Sequence, residues 1–156
     1  MFALKIDVID RGATSRGLAR VMRKAGKESF YETGLHFHAE MSDRRFTHRH
    51  ASLAGFAQRT KAYTSRKLKK FGHTNPLEYS GTSRRLARTA NITATSNQVS
   101  VRYPGVRAFN FKNPKARVKI DMAAEFTRVP PTEATELAGV FDAALDRKLN
   151  ADNQQN

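Results

Sequence analysis

Three things are scarce in these 156 residues, and each scarcity excludes something. There is no cysteine, so disulfides, cysteine-ligated metals and cysteine nucleophiles are ruled out. No stretch approaches the ~18 consecutive apolar residues of a membrane span. The first residues, with Lys5, Asp7 and Asp10, lack the apolar run of a signal peptide, so we expect a cytoplasmic protein, or part of something assembled there, with no membrane partner. Acids are scarce too. Between Arg44 and Lys119, 18 Lys and Arg face one acid, Glu78. That stretch carries +17 in a chain whose total is +14, so the rest sums to −3.

A middle with so few carboxylates leaves paired-carboxylate catalysis nowhere to sit. No Gly-x-Ser-x-Gly turn, Gly-rich phosphate loop or dinucleotide fingerprint is present either, so a binding or structural role is expected, with no catalytic residue and no cofactor. Clustered Lys and Arg gain from counterion release against a polyanion, which points to nucleic acid or an acidic protein surface as neighbour.

The periodicities predict one α+β domain over residues 1–150, with helices on a small, mainly antiparallel sheet. Phe2, Leu4, Ile6 and Val8 alternate as a strand does. From Thr14 or Ser15 to about Met41, a helix carries Leu18, Val21, Met22, Ala25, Phe30 and Phe37. Gly17, Gly26 and Gly34 weaken it, and a break near Gly34 is allowed. Residues 42–51 read as a basic loop.

A second amphipathic helix is expected over 52–71, stopped by Gly72. Leu53, Phe56, Ala57, Thr60, Thr64, Leu68 and Phe71 share one side of it, and Arg59, Lys61, Arg66, Lys69 and Lys70 lie elsewhere. A short basic segment follows over 82–90. Ile92 and Ala94, then Val99, Val101 and Tyr103, flank Ser96-Asn97-Gln98 as a hairpin. An extended arm over 104–116 holds Phe109 and Phe111, and Val118, Ile120 and Met122 alternate as another strand. Thr132 should cap a last amphipathic helix with Leu137, Val140, Phe141, Ala144, Leu145 and Leu149 on its inner face and Arg147 and Lys148 in its final turn. Residues 151–156 read as a frayed polar tail.

His36 with His38, and His48 with His50, could each offer two metal ligands, but the arginines around the second pair repel a cation and further ligands are wanting, so no metal site is expected. A one-metal nuclease built on His48, His50, His73 and Asn75 would straddle a whole helix and lacks acids. Phe109 and Phe111 could stack on bases, and the absence of a strand platform favours an interface instead.

The basic segment, then Asn75-Pro76-Leu77, two residues, Ser80-Gly81 and a hairpin resembles the middle of tailed-bacteriophage virion-morphogenesis and tail-completion proteins. In that family a Lys-rich segment commonly precedes Pro-Leu-x-x-Thr-Gly. Phe126-Thr127-Arg128-Val129-Pro130 before the last helix resembles the family's closing phrase, so the order of parts matches over residues 15–149.

The resemblance implies a non-enzymatic virion protein, assembled in the host bacterial cytoplasm. It would form a homo-oligomeric ring, hexameric or dodecameric, at the neck or tail end, beside other connector or tail proteins and packaged DNA. On that reading Lys61, Arg66, Lys69, Lys70, Arg84, Arg85 and Arg88 face DNA or an acidic partner. Arg44, Arg45, His48, Arg49, His50, Phe109 and Phe111 meet neighbouring subunits. The alternative is a sequence-independent nucleic-acid-binding protein of ribosomal or chromatin type.

Overall fold

The computed structural model describes residues 16–104 and 120–153. The predicted strand at 2–8, the helix start at Thr14 or Ser15, and Phe109, Phe111 and Val118 lie outside them. Among the described residues are six α-helices and one two-stranded antiparallel sheet, the α+β class expected, with a long first helix, a basic middle helix and a C-terminal amphipathic one. They gather into two compact units, one holding residues 16–39, 90–102 and 131–153, the other 40–89, 103–104 and 120–130.

The first unit consists of α1 (Arg16–His36), the hairpin β1 (Asn91–Ala94) and β2 (Val99–Arg102), and α6 (Pro131–Asn153). The hairpin is the predicted one, with Ile92 opposite Val101 and Ala94 opposite Val99. α1 does not break at Gly34. It runs on to His36 and widens into a π-helical turn, Phe37–Met41.

Packing explains the glycines. A Cβ on Gly34 would sit 2.6 Å from Val99 Cγ2 and 2.8 Å from Ile92 Cγ2, and one on Gly26 3.0 Å from the Ser96 carbonyl. The hairpin therefore approaches α1 closely because side chains are missing there. Between these glycines Ser29 and Thr33 are buried, their hydroxyls donating to the carbonyls one turn back, Ala25 and Ser29, both at 2.8 Å.

Phe30, Phe37, Val99, Val101, Leu137, Phe141 and Ala144 fill the core, with the Phe30 and Phe141 rings 4.5 Å apart, while Met22 stays exposed. α6 begins at Pro131, not after a Thr132 cap. Proline suits that first position because its missing N–H would have had no partner. The helix continues to Asn153, so Arg147 and Lys148 lie inside it and not in its last turn. They pair with α1 instead: Lys148 with Glu28 and Glu32 at 3.4 and 3.0 Å, Arg147 with Glu32 at 2.5 Å. With His36 and Glu136 3.1 Å apart, these pairs make α1 and α6 antiparallel.

The second unit departs further from expectation. Residues 42–51 are not a loop: Asp43–Phe46 form a 3-10 turn, and Thr47 caps α2 (His48–Leu53) by accepting from the His50 amide. Nor is 52–71 one helix. α2 stops at Leu53, Gly55 follows at φ 63°, and α3 (Lys61–Phe71) starts afresh with Thr60 as its cap. The break persists because its backbone groups have partners. Arg128 donates to the carbonyls of Ala54 and Gly55 at 2.9 and 2.8 Å, and Glu125 accepts from the Ala57 amide at 2.8 Å.

Gly72 ends α3 as expected, in the left-handed conformation that glycine adopts at least cost. α4 (Thr82–Leu86) and α5 (Met122–Thr127) complete the unit. Asp121 caps α5, so Met122 is helical where a strand was expected. Phe46, Leu77, Ala87 and Phe126 form the core cluster, with Phe56, Leu86, Tyr103, Met122 and Ala123 packed against it.

Adding a methyl at Gly34 should overpack the hairpin. Gly34→Ala is expected to destabilise by about 1–2 kcal/mol even after the gain in helix propensity. Gly139→Ala, where an added Cβ meets nothing within 4 Å, should stabilise by about 0.5–1 kcal/mol. Urea midpoints that rank the two the other way would refute the close approach. In the second unit, burial pushes the Tyr103 hydroxyl up to about 12, although Ser42 bonding and Arg45 pull it down. The folded state then holds its proton over pH 10–12 while the unfolded chain has released it. Stability should fall by on the order of 2 kcal/mol across that window, and less in Tyr103→Phe.

Candidate nucleic-acid interface

The second unit sorts its cations into two groups. Those of the first group are fastened to partners within the unit. Arg45 has no exposed surface, and its guanidinium donates to the Phe126 carbonyl at 3.0 Å and to the Met41 carbonyl at 2.8 Å. Arg59 holds Glu125 through two bonds of 3.0 and 2.6 Å, with Glu125 almost wholly buried. Arg128 caps α2.

Lys67 turns inward from α3, its ammonium donating to the Asn75 carbonyl and lying 5.8 Å from the Tyr63 ring. Burial lowers its pKa below the ordinary lysine value, against the pull of Glu78. Arg84 forks onto Asp43 at 2.7 and 2.5 Å, and that bonding holds the Asp43 carboxyl below its usual range.

The second group is outside. Lys61, Arg66, Lys69 and Lys70 occupy the exposed half of α3, and Arg49, Arg85 and Arg88 are also exposed. None of these seven has a carboxylate partner within ion-pair distance among the described residues. Six of the seven residues expected to face a polyanion are therefore available to one, and Arg84 is engaged. Of the residues expected at subunit contacts, Arg44, His48 and Arg49 are exposed, with His48 bonded to Thr74 at 3.0 Å. Arg45 and His50 are corrected: both are buried in their own chain, and His50 packs edge-on against Phe56 with centroids 5.4 Å apart. Among the described residues no three His, Asp or Glu side chains gather as a metal site requires.

An aromatic cluster borders this surface. Tyr63 stacks on Tyr79 at 6.1 Å and 30°, and Phe71 meets Tyr79 edge-on at 4.7 Å. Lys70 lies 5.3 Å over the Phe71 ring. The expected inner face of α3 was drawn through Leu68, which is 53% exposed, whereas the inward residues are Tyr63, Thr64, Lys67 and Phe71. Their spacing of four was legible, but a lysine in the stripe hid it.

Removing an inner charge should cost far more than removing an outer one. Glu125→Ala leaves the Ala57 amide without its acceptor and the Arg59 guanidinium with only the Ala57 carbonyl, and is expected to destabilise by roughly 3 kcal/mol. Lys61→Ala and Arg85→Ala should each fall within about 0.5 kcal/mol of wild type. Denaturation midpoints that do not separate the two classes would contradict this sorting. No family model, curated protein or solved structure matches this chain.

Proposed function

We propose that the chain is a structural, non-enzymatic virion protein of a tailed phage, a ring subunit at the neck or tail end that completes the tail or joins head to tail. The observation that carries this reading is that the two phrases behind the family resemblance meet in one place. Leu77, from Asn75-Pro76-Leu77, and Phe126, from the closing phrase, belong to the same core cluster with Phe46 and Ala87.

Leu77 enters it with φ at 55°, a left-handed backbone that a leucine adopts only when its surroundings hold it there. Those surroundings are specific: Lys67 donates to the Asn75 carbonyl, and the Asn75 side-chain amide donates to Glu78 at 3.1 Å. The phrase is a built turn ahead of α4, whose Leu86 packs on the same cluster. A ring subunit also needs apolar surface for its neighbours, and Leu53 and Leu68 offer it at 57% and 53% exposure. The outer cations would meet DNA or an acidic virion partner without reading sequence.

Light scattering with electron microscopy of the purified protein, across a concentration series, is expected to show closed rings, and Leu53→Asp to dissolve them while leaving the circular dichroism spectrum unchanged. Terminase, portal or tail-tube genes beside its own are the second expectation. A chain that stays monomeric at every concentration, from a locus without virion genes, would end the proposal.

A further inference from the structure

The aromatic cluster on α3 goes beyond what a ring subunit or a surface for passing duplex requires. Duplex phosphates are satisfied by point charges, and base pairs inside a duplex offer no ring face to a tyrosine. Tyr79 nevertheless keeps 42% of its surface exposed beside Tyr63, with the Phe71 ring T-shaped to it at 4.7 Å. Arg66 and Lys70 follow Tyr63 at i+3 and i+7, a spacing that places both along the same side of the helix as the ring. Both are exposed, and neither has a carboxylate partner among the described residues.

Two carboxylates of this unit are already committed. Glu125 is held by Arg59, and Glu78 accepts from Asn75 with Arg84 3.9 Å away, its side chain only 11% exposed. The surface thus presents a partly exposed tyrosine in an aromatic cluster, with cations that have no carboxylate partner among the described residues along the same side of the helix as Tyr63. That is the pairing by which proteins bind unpaired nucleic acid, bases on rings and phosphates on Lys and Arg.

We infer that Tyr79, stacked on Tyr63 and flanked by Arg66 and Lys70, is a binding site for single-stranded nucleic acid, taking at least one unpaired base on the tyrosine and the adjoining phosphates on the two cations. Stacking tolerates every base, so the site selects strandedness and not sequence. An acidic protein segment is the competing occupant. The charges alone would suit it, but it gives the exposed ring no flat partner.

The test is fluorescence anisotropy of the full chain with a labelled oligothymidine of twenty nucleotides, against a duplex of the same length and with polyglutamate as competitor. The single strand is expected to bind more tightly than the duplex. Tyr79→Ala should weaken it roughly 5- to 150-fold, the effect of one lost base stack, and Tyr79→Phe should restore it. Arg66→Ala and Lys70→Ala should each lower the salt slope by about 0.7 and leave the preference for the single strand over the duplex in place.

Equal binding of duplex and single strand, an unaltered affinity in Tyr79→Ala, displacement by polyglutamate as effective as by unlabelled oligothymidine, or no binding at all would each overturn the inference. Since exposed Tyr79 can be replaced without opening the core, circular dichroism and thermal melting of the variants separate a lost site from a lost fold. The measurement reads monomer and ring alike, so its outcome is independent of whether the chain assembles.

Discussion

The second unit depends on a guanidinium that water never reaches. Arg45 ties the carbonyl of Met41, where the π-helical turn ends, to that of Phe126 at the end of α5, and so joins segments 81 residues apart in sequence. A buried charge is tolerable only if its donors are satisfied, since the loss of hydration otherwise costs several kcal/mol. Once it is satisfied, geometry is fixed. Arginine suits the task because its planar fork reaches two acceptors in defined directions, which a lysine ammonium does not. Phe126, whose carbonyl is gripped, then places its ring 6.0 Å from Phe46, the residue after Arg45, and 5.1 Å from Tyr103.

The same device recurs around it. Among the described residues the core cluster of this unit has four buried apolar members, with Met41 and Ala54 buried besides, too few to set the path of five short helical segments by hydrophobic burial alone. Glu125 with Arg59, Arg128 with two carbonyls and Lys67 with one supply the remaining constraints. The first unit leans more on apolar packing, with neutral hydroxyls folded back on their own helix and ion pairs between α1 and α6 at the surface.

That contrast decides what could be read from the residues. α6 and the hairpin were legible because their burial follows apolar periodicity, the signal on which such reading rests. Gly34 was read by its propensity, as a weakness, when close packing against Ile92 and Val99 was its purpose. In the second unit the pattern misled systematically. Arg45, His50 and Lys67 count as surface by composition, yet Arg45 is buried on a carbonyl as distant as that of Phe126, which no local window contains, Lys67 on that of Asn75, and His50 against the Phe56 ring. The single helix drawn over 52–71 overrode two local signals, Gly55 and the Thr60 cap, because Leu53, Phe56, Leu68 and Phe71 kept a helical period across the break.

Sorting the charges by location also sharpens what +17 means. A polycation with every charge in water is a uniform attractant, and its composition says little beyond its sign. Here several cations are withdrawn into hydrogen bonds, so the field outside comes from fewer, placed residues. Four of those lie on the open half of α3, beside an aromatic cluster that the inward Lys67 helps to position. The buried lysine and the exposed ones are thus parts of one arrangement. Holding the Asn75 carbonyl fixes the turn that carries Tyr79, and Tyr79 in turn rests against Tyr63 and Phe71, which lie one turn to either side of Lys67 on the helix that also carries Arg66 and Lys70.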